Sequence, residues 1–163
     1  MKKERRYLKF GYGYNEARNN KPYYKTSNED GTTTKCYCTW FNMMKRCYDP
    51  NSRDYEMYKD CEVMRKWHNY QAFAEWWDKE YYEIPNTVMS LDKDILKKGN
   101  RLYSPRTCCI VPLDLNSAFA IEGGTYYKHI RVRFEKYKEY LPQYVIEAIE
   151  KRCNTRKINT WIR

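Results

Sequence analysis

Residues 87–121 read TVMSLDKDILKKGNRLYSPRTCCIVPLDLNSAFAI. Their apolar periodicity and turn residues predict a strand over 87–91, a turn over 97–100 and a second strand over 107–111. A short helix is predicted to follow over 113–121. Gly123 and Gly124 are expected to end the helix, because glycine favours helix C-termini. A hairpin followed closely by a helix is therefore the predicted centre of the fold.

The residues on both sides of this stretch predict a fold of the α+β class with a helical N-terminal half. Apolar residues recur at helical spacing from Thr34 to Tyr48, and Thr34 is placed to cap that helix. Alternating apolar and basic side chains predict one further strand over 126–134 with a basic outer face. The remaining predicted elements are a strand-like segment and two helices, at 61–63, 69–82 and 142–152.

The chain is expected to divide into three parts: a basic arm rich in Tyr and Asn over 1–32, a central domain over 33–122 that contains the hairpin and helix, and a basic C-terminal part over 123–163. The arm has few aliphatic side chains. We therefore expect it to contact a partner more than to build the core.

The composition of the 163 residues excludes several classes of protein. An aromatic content of 17% argues against a disordered chain. The longest apolar run, residues 108–113, is far shorter than the roughly 20 residues of a membrane-spanning helix. No apolar stretch follows the charged N-terminus, so we expect no secretory signal and reduced thiols at the 7 cysteines.

The charge of the chain favours a phosphate-bearing partner. The formal net charge is +10, from 31 Lys and Arg against 21 Asp and Glu. Positive charge is concentrated at both ends and in residues 93–106, which hold five basic side chains and one acidic. Basic segments that also carry tyrosine suit phosphate pairing and base stacking, although a high net charge also serves solubility alone.

Two blocks of residues carry a family resemblance. The first block comprises Trp40–Tyr48, Cys61–Val63, Trp67 and Phe73. The second block comprises Leu91–Ile95, Gly99, Asn100, Tyr103–Pro105, Cys108 and Asn116. In order and spacing, over about residues 38–120, these blocks resemble the HNH-endonuclease-like proteins of bacteriophages.

The resemblance implies a ββα-metal unit that holds one divalent cation, Mg²⁺ or Mn²⁺, to stabilise charge on the scissile phosphate. It implies Asp92 as metal ligand, Lys93 at the position of the general base and Asn116 as the third site residue, on the helix. Asp94 is either a second metal ligand or a solvated loop carboxylate. Lysine is ordinarily protonated at pH 7, with a pKa of about 10.4, so Lys93 is a degenerate base.

The cysteines do not suggest a structural zinc site, because their spacing lacks paired C-x₂-C motifs. Cys47, Cys61 and Cys108 match family positions, and we expect them to pack as buried thiols, with metal binding as the alternative.

Seven basic side chains are expected to contact nucleic-acid phosphates: Lys97, Lys98, Arg101, Arg106, His129, Arg131 and Arg133. Many relatives carry a C-terminal DNA-reading module of three strands and a helix. Here a single strand is predicted after the hairpin unit, so this module is predicted to be deleted. Binding to the DNA backbone, without sequence readout, is the property that remains.

Three functions stay open at this point. The first is a catalytically weak or dead nucleic-acid-binding protein of HNH descent, with DNA as partner and RNA as the alternative. The second is an active metal-dependent DNA endonuclease. The third is a phage inhibitor that binds a host defence nuclease. The resemblance implies the cytoplasm of the infected bacterium as the location.

Overall fold

The computed structural model describes residues 10–120 and 126–154. Within them the chain is a mixed α+β protein with six helices and two small two-stranded sheets. The helices are α1 (Lys35–Tyr48), α2 (Tyr55–Tyr58), α3 (Tyr70–Glu80), α4 (Leu113–Ala120), α5 (Tyr126–Tyr137) and α6 (Gln143–Asn154). The strands are β1 (Glu62–Val63), β2 (Met89–Asp92), β3 (Leu102–Tyr103) and β4 (Cys109–Pro112), and a 3₁₀ turn spans Arg65–His68. No helix in the described ranges has the length and apolar character needed to cross a membrane.

The described residues form two compact units. Unit 1 comprises the residues up to Tyr81 together with Arg101–Pro105. Unit 2 comprises Tyr82–Asn100 and the residues from Arg106 onward. The basic segment 93–106 is therefore divided between the two units.

Both helices predicted for the N-terminal half are confirmed in unit 1. The Thr34 hydroxyl accepts a hydrogen bond from the backbone N of Tyr37 at 3.1 Å and so caps α1. Asn69 caps α3 in the same way, accepting from the backbone N of Gln71 at 3.2 Å. The apolar stripes of the two helices are buried, and include Trp40, Met43, Met44, Cys47, Phe73 and Trp77.

A short parallel sheet joins distant parts of unit 1. β1 confirms the strand-like segment predicted at 61–63, and it pairs with β3, so that Glu62 lies opposite Leu102 and Val63 opposite Tyr103. The sequence did not predict β3, because two residues are too few to show an alternating pattern.

The described part of the arm, residues 10–32, is bonded to the start of α3. The Gln71 side chain is buried, and its Oε1 accepts a hydrogen bond from the backbone N of Tyr24 at 2.7 Å. Its Nε2 donates to the Tyr24 carbonyl at 2.9 Å and to Asn15 Oδ1 at 2.8 Å. We therefore expect this segment to stabilise unit 1, in addition to the contact with a partner that the sequence predicts for it. Residues 1–9 of the arm lie outside the described residues.

Unit 2 contains the predicted hairpin and the helix after it. β2 and β4 pair in antiparallel fashion, with Ser90 opposite Val111 and Asp92 opposite Cys109. α4 begins directly after β4 and buries Leu115, Ala118 and Phe119. These two strands and this helix are confirmed, while the predicted stop at Gly123–Gly124 lies outside the described residues.

The strand predicted over 126–134 is wrong, because this segment forms helix α5. A strand with the predicted alternation would bury Val132 beside Ile130 and Phe134. Instead Ile130, Phe134 and Tyr137 are buried, at spacings of four and three residues, and Val132 is 60% exposed. The segment carries both periods, and packing of α5 against α4 selects the helical one.

The helix predicted over 142–152 is confirmed as α6. Val145, Ile149 and Cys153 lie on one face of α6 and belong to the core cluster of unit 2. Residues of β4, α4 and α5 complete that core, among them Cys109, Val111, Leu115 and Phe134.

Candidate nucleic-acid interface

The turn after β2 is built around the buried carboxylate of Asp92. Asp92 Oδ2 accepts hydrogen bonds from the backbone N of Asp94 at 2.7 Å and of Ile95 at 2.6 Å. Burial raises the pKa of Asp92 above its ordinary value, although the two N–H donors act in the opposite direction. Asp92 therefore fixes the backbone that follows the strand, as an Asx turn does.

Lys93 closes the same turn from the other side. Its Nζ donates to Asp94 Oδ2 at 2.8 Å and to the carbonyl oxygen of Asn100 at 3.0 Å. The Asn100 side chain returns a bond from Nδ2 to the Lys93 carbonyl at 3.0 Å. Lys93 and Asn100 are each 8% exposed. These paired bonds hold residues 93–100 as one closed loop, which we call the lysine loop.

Arg152 ties the lysine loop to α6. Its Nη1 donates to the carbonyl oxygen of Asp94 at 2.7 Å, and its guanidinium lies 4.8 Å from the ring centroid of Phe119. The sequence did not predict this role, because nothing local connects residues 58 positions apart.

Asn116 lies on α4 and contacts β2. Its Nδ2 donates to Ser90 Oγ at 3.1 Å, and Ser90 Oγ donates to the Val111 carbonyl at 3.2 Å. Side chains two positions apart in a strand share a face. Ser90 and Asp92 therefore point to the same face of β2, and Asn116 packs against that face.

Apart from the buried Lys93, the basic residues of segment 93–106 are exposed, and they are divided between the two units. Lys97 and Lys98 lie on the lysine loop, next to Gly99, whose φ of +72° forms the turn. Arg106 is also exposed in unit 2. Arg101 belongs to unit 1, where its Nη1 lies 3.3 Å from Asp60 Oδ2 in a mostly exposed ion pair.

The predicted basic strand face of His129, Arg131 and Arg133 is corrected to positions on a helix. His129 and Arg133 are four residues apart on α5 and share a face, so that Arg133 Nη1 donates to the His129 carbonyl at 3.2 Å. Arg133 Nε also lies 3.9 Å from Asp114 Oδ2. Arg131 is exposed, but two positions in a helix correspond to about 200°, so it faces away from this pair.

The residues around Asp92 do not fit a divalent cation as they are arranged. Asp92 Oδ2 is used by two backbone donors, and Asp94 Oδ2 binds the Lys93 ammonium. Among residues 10–120 and 126–154, no group of three or more His, Cys, Asp or Glu side chains is arranged to hold a metal ion. Cys47, Cys61 and Cys108 form no disulfide and are buried.

Comparison of the chain with models of known protein families, with curated proteins and with solved structures gives no match in any of the three. The resemblance to HNH-like proteins therefore stays a prediction, and the function is argued from the residues of this chain.

Proposed function

We propose that the protein binds DNA through the phosphate backbone without cleaving it, and that unit 2 is an inactive descendant of an HNH endonuclease. The observation that carries this proposal is the bonding of Lys93. Its ammonium is buried between the Asp94 carboxylate and the Asn100 carbonyl, and it closes the lysine loop.

This bonding supports the loss of catalysis. A general base must offer a lone pair to the attacking water. An ammonium that donates to a carboxylate and a carbonyl is the protonated form of lysine and offers no lone pair. The same ammonium also neutralises Asp94, one of the two carboxylates expected to bind the cation. Lys93 thus supplies a fixed positive charge inside the protein.

The order and packing of β2, β4 and α4 support the proposed descent. An antiparallel pair followed directly by a helix is the order that a ββα unit requires. Asn116 contacts the face of β2 to which Asp92 points. The expected site residues are therefore grouped in one unit, with a lysine at the position of the base.

The exposed cations of unit 2 support backbone binding. Lys97 and Lys98 project from a loop that is closed at both ends by buried hydrogen bonds. A rigid loop loses little conformational entropy when its lysines pair with phosphates. Arg106 and Arg131 add exposed positive charge to the same unit.

The test measures binding and cleavage on the same preparation. The wild-type protein is expected to bind a short DNA duplex at low salt in EDTA, and to leave supercoiled plasmid intact with Mg²⁺ or Mn²⁺. Lys93→Ala is expected to weaken duplex binding, because the lysine loop loses the two hydrogen bonds that Lys93 Nζ donates, and to leave plasmid intact. Gel shift and plasmid nicking report the two activities.

The matched control is Lys138→Ala, which also removes one positive charge from unit 2. Lys138 Nζ forms an ion pair with Glu150 Oε1 at 3.1 Å, so this variant loses an ion pair as Lys93→Ala does. It is expected to bind duplex more tightly than Lys93→Ala. Metal-dependent nicking by the wild type that Lys93→Ala abolishes, with binding retained, would establish the active nuclease instead. Absence of duplex binding at low salt would remove the proposal altogether.

A further inference from the structure

Unit 1 presents a stack of aromatic side chains that the proposed function does not use. The ring of Tyr12 lies on the ring of Tyr48, with centroids 4.4 Å apart and planes 29° apart. His68 meets the edges of both rings, with centroids 5.8 Å from each. We call Tyr12, Tyr48 and His68 the aromatic stack.

The inner two members of the aromatic stack are held in place by hydrogen bonds. The Tyr48 hydroxyl accepts from the backbone N of Val63 at 2.9 Å. His68 Nε2 lies 3.0 Å from the Val63 carbonyl oxygen. Burial and the charge of Arg65 lower the pKa of His68, although its hydrogen bond to the Val63 carbonyl acts in the opposite direction.

The backbone that follows Tyr12 is also fixed. The backbone N of Tyr14 donates to the His68 carbonyl at 2.9 Å, and the Tyr14 carbonyl accepts from the backbone N of Tyr70 at 2.9 Å. Two positions earlier, Tyr12 is therefore presented by an anchored segment, yet 52% of its surface is exposed. One face of its ring packs on Tyr48, which leaves the exposed surface on the other side.

Positive charge lies beside the aromatic stack. Arg65 and Lys66 are exposed in the 3₁₀ turn that ends at His68. Because a 3₁₀ helix has three residues per turn, Arg65 and His68 lie on the same side. Arg65 acts electrostatically on His68, and Glu62 acts on Tyr48, so a cation and a carboxylate both lie near the stack.

We propose that the exposed face of Tyr12 is a stacking platform for an unpaired base of single-stranded nucleic acid, with Arg65 placed for a phosphate of the same strand. Every base has a π face, so a pre-formed tyrosine surface beside a cation suits a single strand of any sequence. Paired bases in a duplex are stacked on each other and do not expose this face. The platform is therefore a second nucleic-acid site, distinct from the backbone contacts of unit 2.

The experiment measures binding of fluorescein-labelled single strands by anisotropy. The probes are oligothymidylate, oligouridylate and an abasic strand of the same length, so that the first two separate DNA from RNA as the source of the base. Tyr12→Ala is expected to weaken binding of the preferred strand about 5- to 150-fold, which is about 1–3 kcal/mol for one stacked base. Tyr12→Phe keeps the ring and is expected to bind as the wild type does.

The control variant is Tyr140→Ala, because Tyr140 is 51% exposed in unit 2 and lies outside the aromatic stack. It is expected to bind single strands as tightly as the wild type. The proposal is overturned if Tyr12→Ala loses no affinity, or if the abasic strand binds the wild type as tightly as oligothymidylate. Tyr12→Ala removes no charge, so duplex binding and its salt dependence are expected to persist and to report separately on unit 2.

Discussion

At the scale of single residues, Asp92 and Lys93 are neighbouring buried residues whose ionisable groups have different kinds of hydrogen-bond partner. Lys93 has a carboxylate partner and a carbonyl partner. Asp92 is bonded by backbone N–H groups of the following turn, and burial raises its pKa. The structure thus uses the oxygen of Asp92 as an acceptor while its negative charge carries a desolvation cost.

This cost predicts a pH dependence that Asp92→Asn removes. The pKa of Asp92 is raised in the folded state, so the stability that Asp92 contributes is fully present below its unfolded pKa and is lost as pH rises through the folded one. Asparagine keeps an oxygen for the two N–H donors and carries no charge. The variant is therefore expected to gain stability relative to wild type between acidic and neutral pH, measured by urea denaturation.

Asp60→Asn provides the control, because the Asp60 side chain is 66% exposed in its ion pair with Arg101. Its stability relative to wild type is expected to change little over the same pH range. If Asp92→Asn were instead destabilised more as pH rises, the carboxylate charge would be stabilising, as a bound cation would make it.

At the scale of elements, helix α5 gives the clearest contrast between local pattern and packing. Ile130→Ala is expected to lower the free energy of unfolding by about 2–5 kcal/mol, since Ile130 is fully buried in the core of unit 2. Val132→Ala is expected to change the free energy of unfolding by less than about 0.5 kcal/mol, because Val132 is on the exposed side. Chemical denaturation of both variants measures the difference. Equally large losses of stability in the two variants would contradict the helix and would favour a strand with both residues on one buried face.

Elements with strong local signals could be predicted from the sequence. Thr34 and Asn69 cap helices whose apolar stripes are long, and the hairpin strands are bounded by turn residues. β3 could not be predicted, since its pairing with β1 joins residues about forty positions apart and spans two residues. The 126–134 segment carried two periods, and tertiary packing decided between them.

The candidate site follows the same division. The position of Asp92 at the end of a strand could be predicted, because Asp92 directly follows the strand predicted over 87–91. The bond from Lys93 to the Asn100 carbonyl depends on the path of the loop backbone, and the bond from Arg152 to Asp94 depends on how α6 packs. Neither the path of the loop backbone nor the packing of α6 produces a residue pattern that can be recognised in a single sequence.

At the scale of the whole molecule, the net charge of +10 predicts that duplex binding is governed by counterion release. If about 5 to 8 phosphates are neutralised, the logarithm of the binding constant falls with the logarithm of salt with a slope of roughly −4 to −7. The Lys97→Gln/Lys98→Gln double variant removes two of those contacts and is expected to reduce the slope by about 2. Anisotropy titrations of a short duplex over a salt series measure it.

A double variant of equal charge separates local contacts from overall attraction. Lys59→Gln/Lys79→Gln removes two exposed lysines of unit 1, one of them paired with Glu56 at 2.7 Å. If Lys97 and Lys98 pair directly with phosphates and Lys59 and Lys79 do not, this control keeps nearly the wild-type slope, because each phosphate contact contributes about −0.9 to it. Equal reductions in the two double variants would mean that net charge alone attracts the duplex, and that Lys97 and Lys98 make no contact of their own.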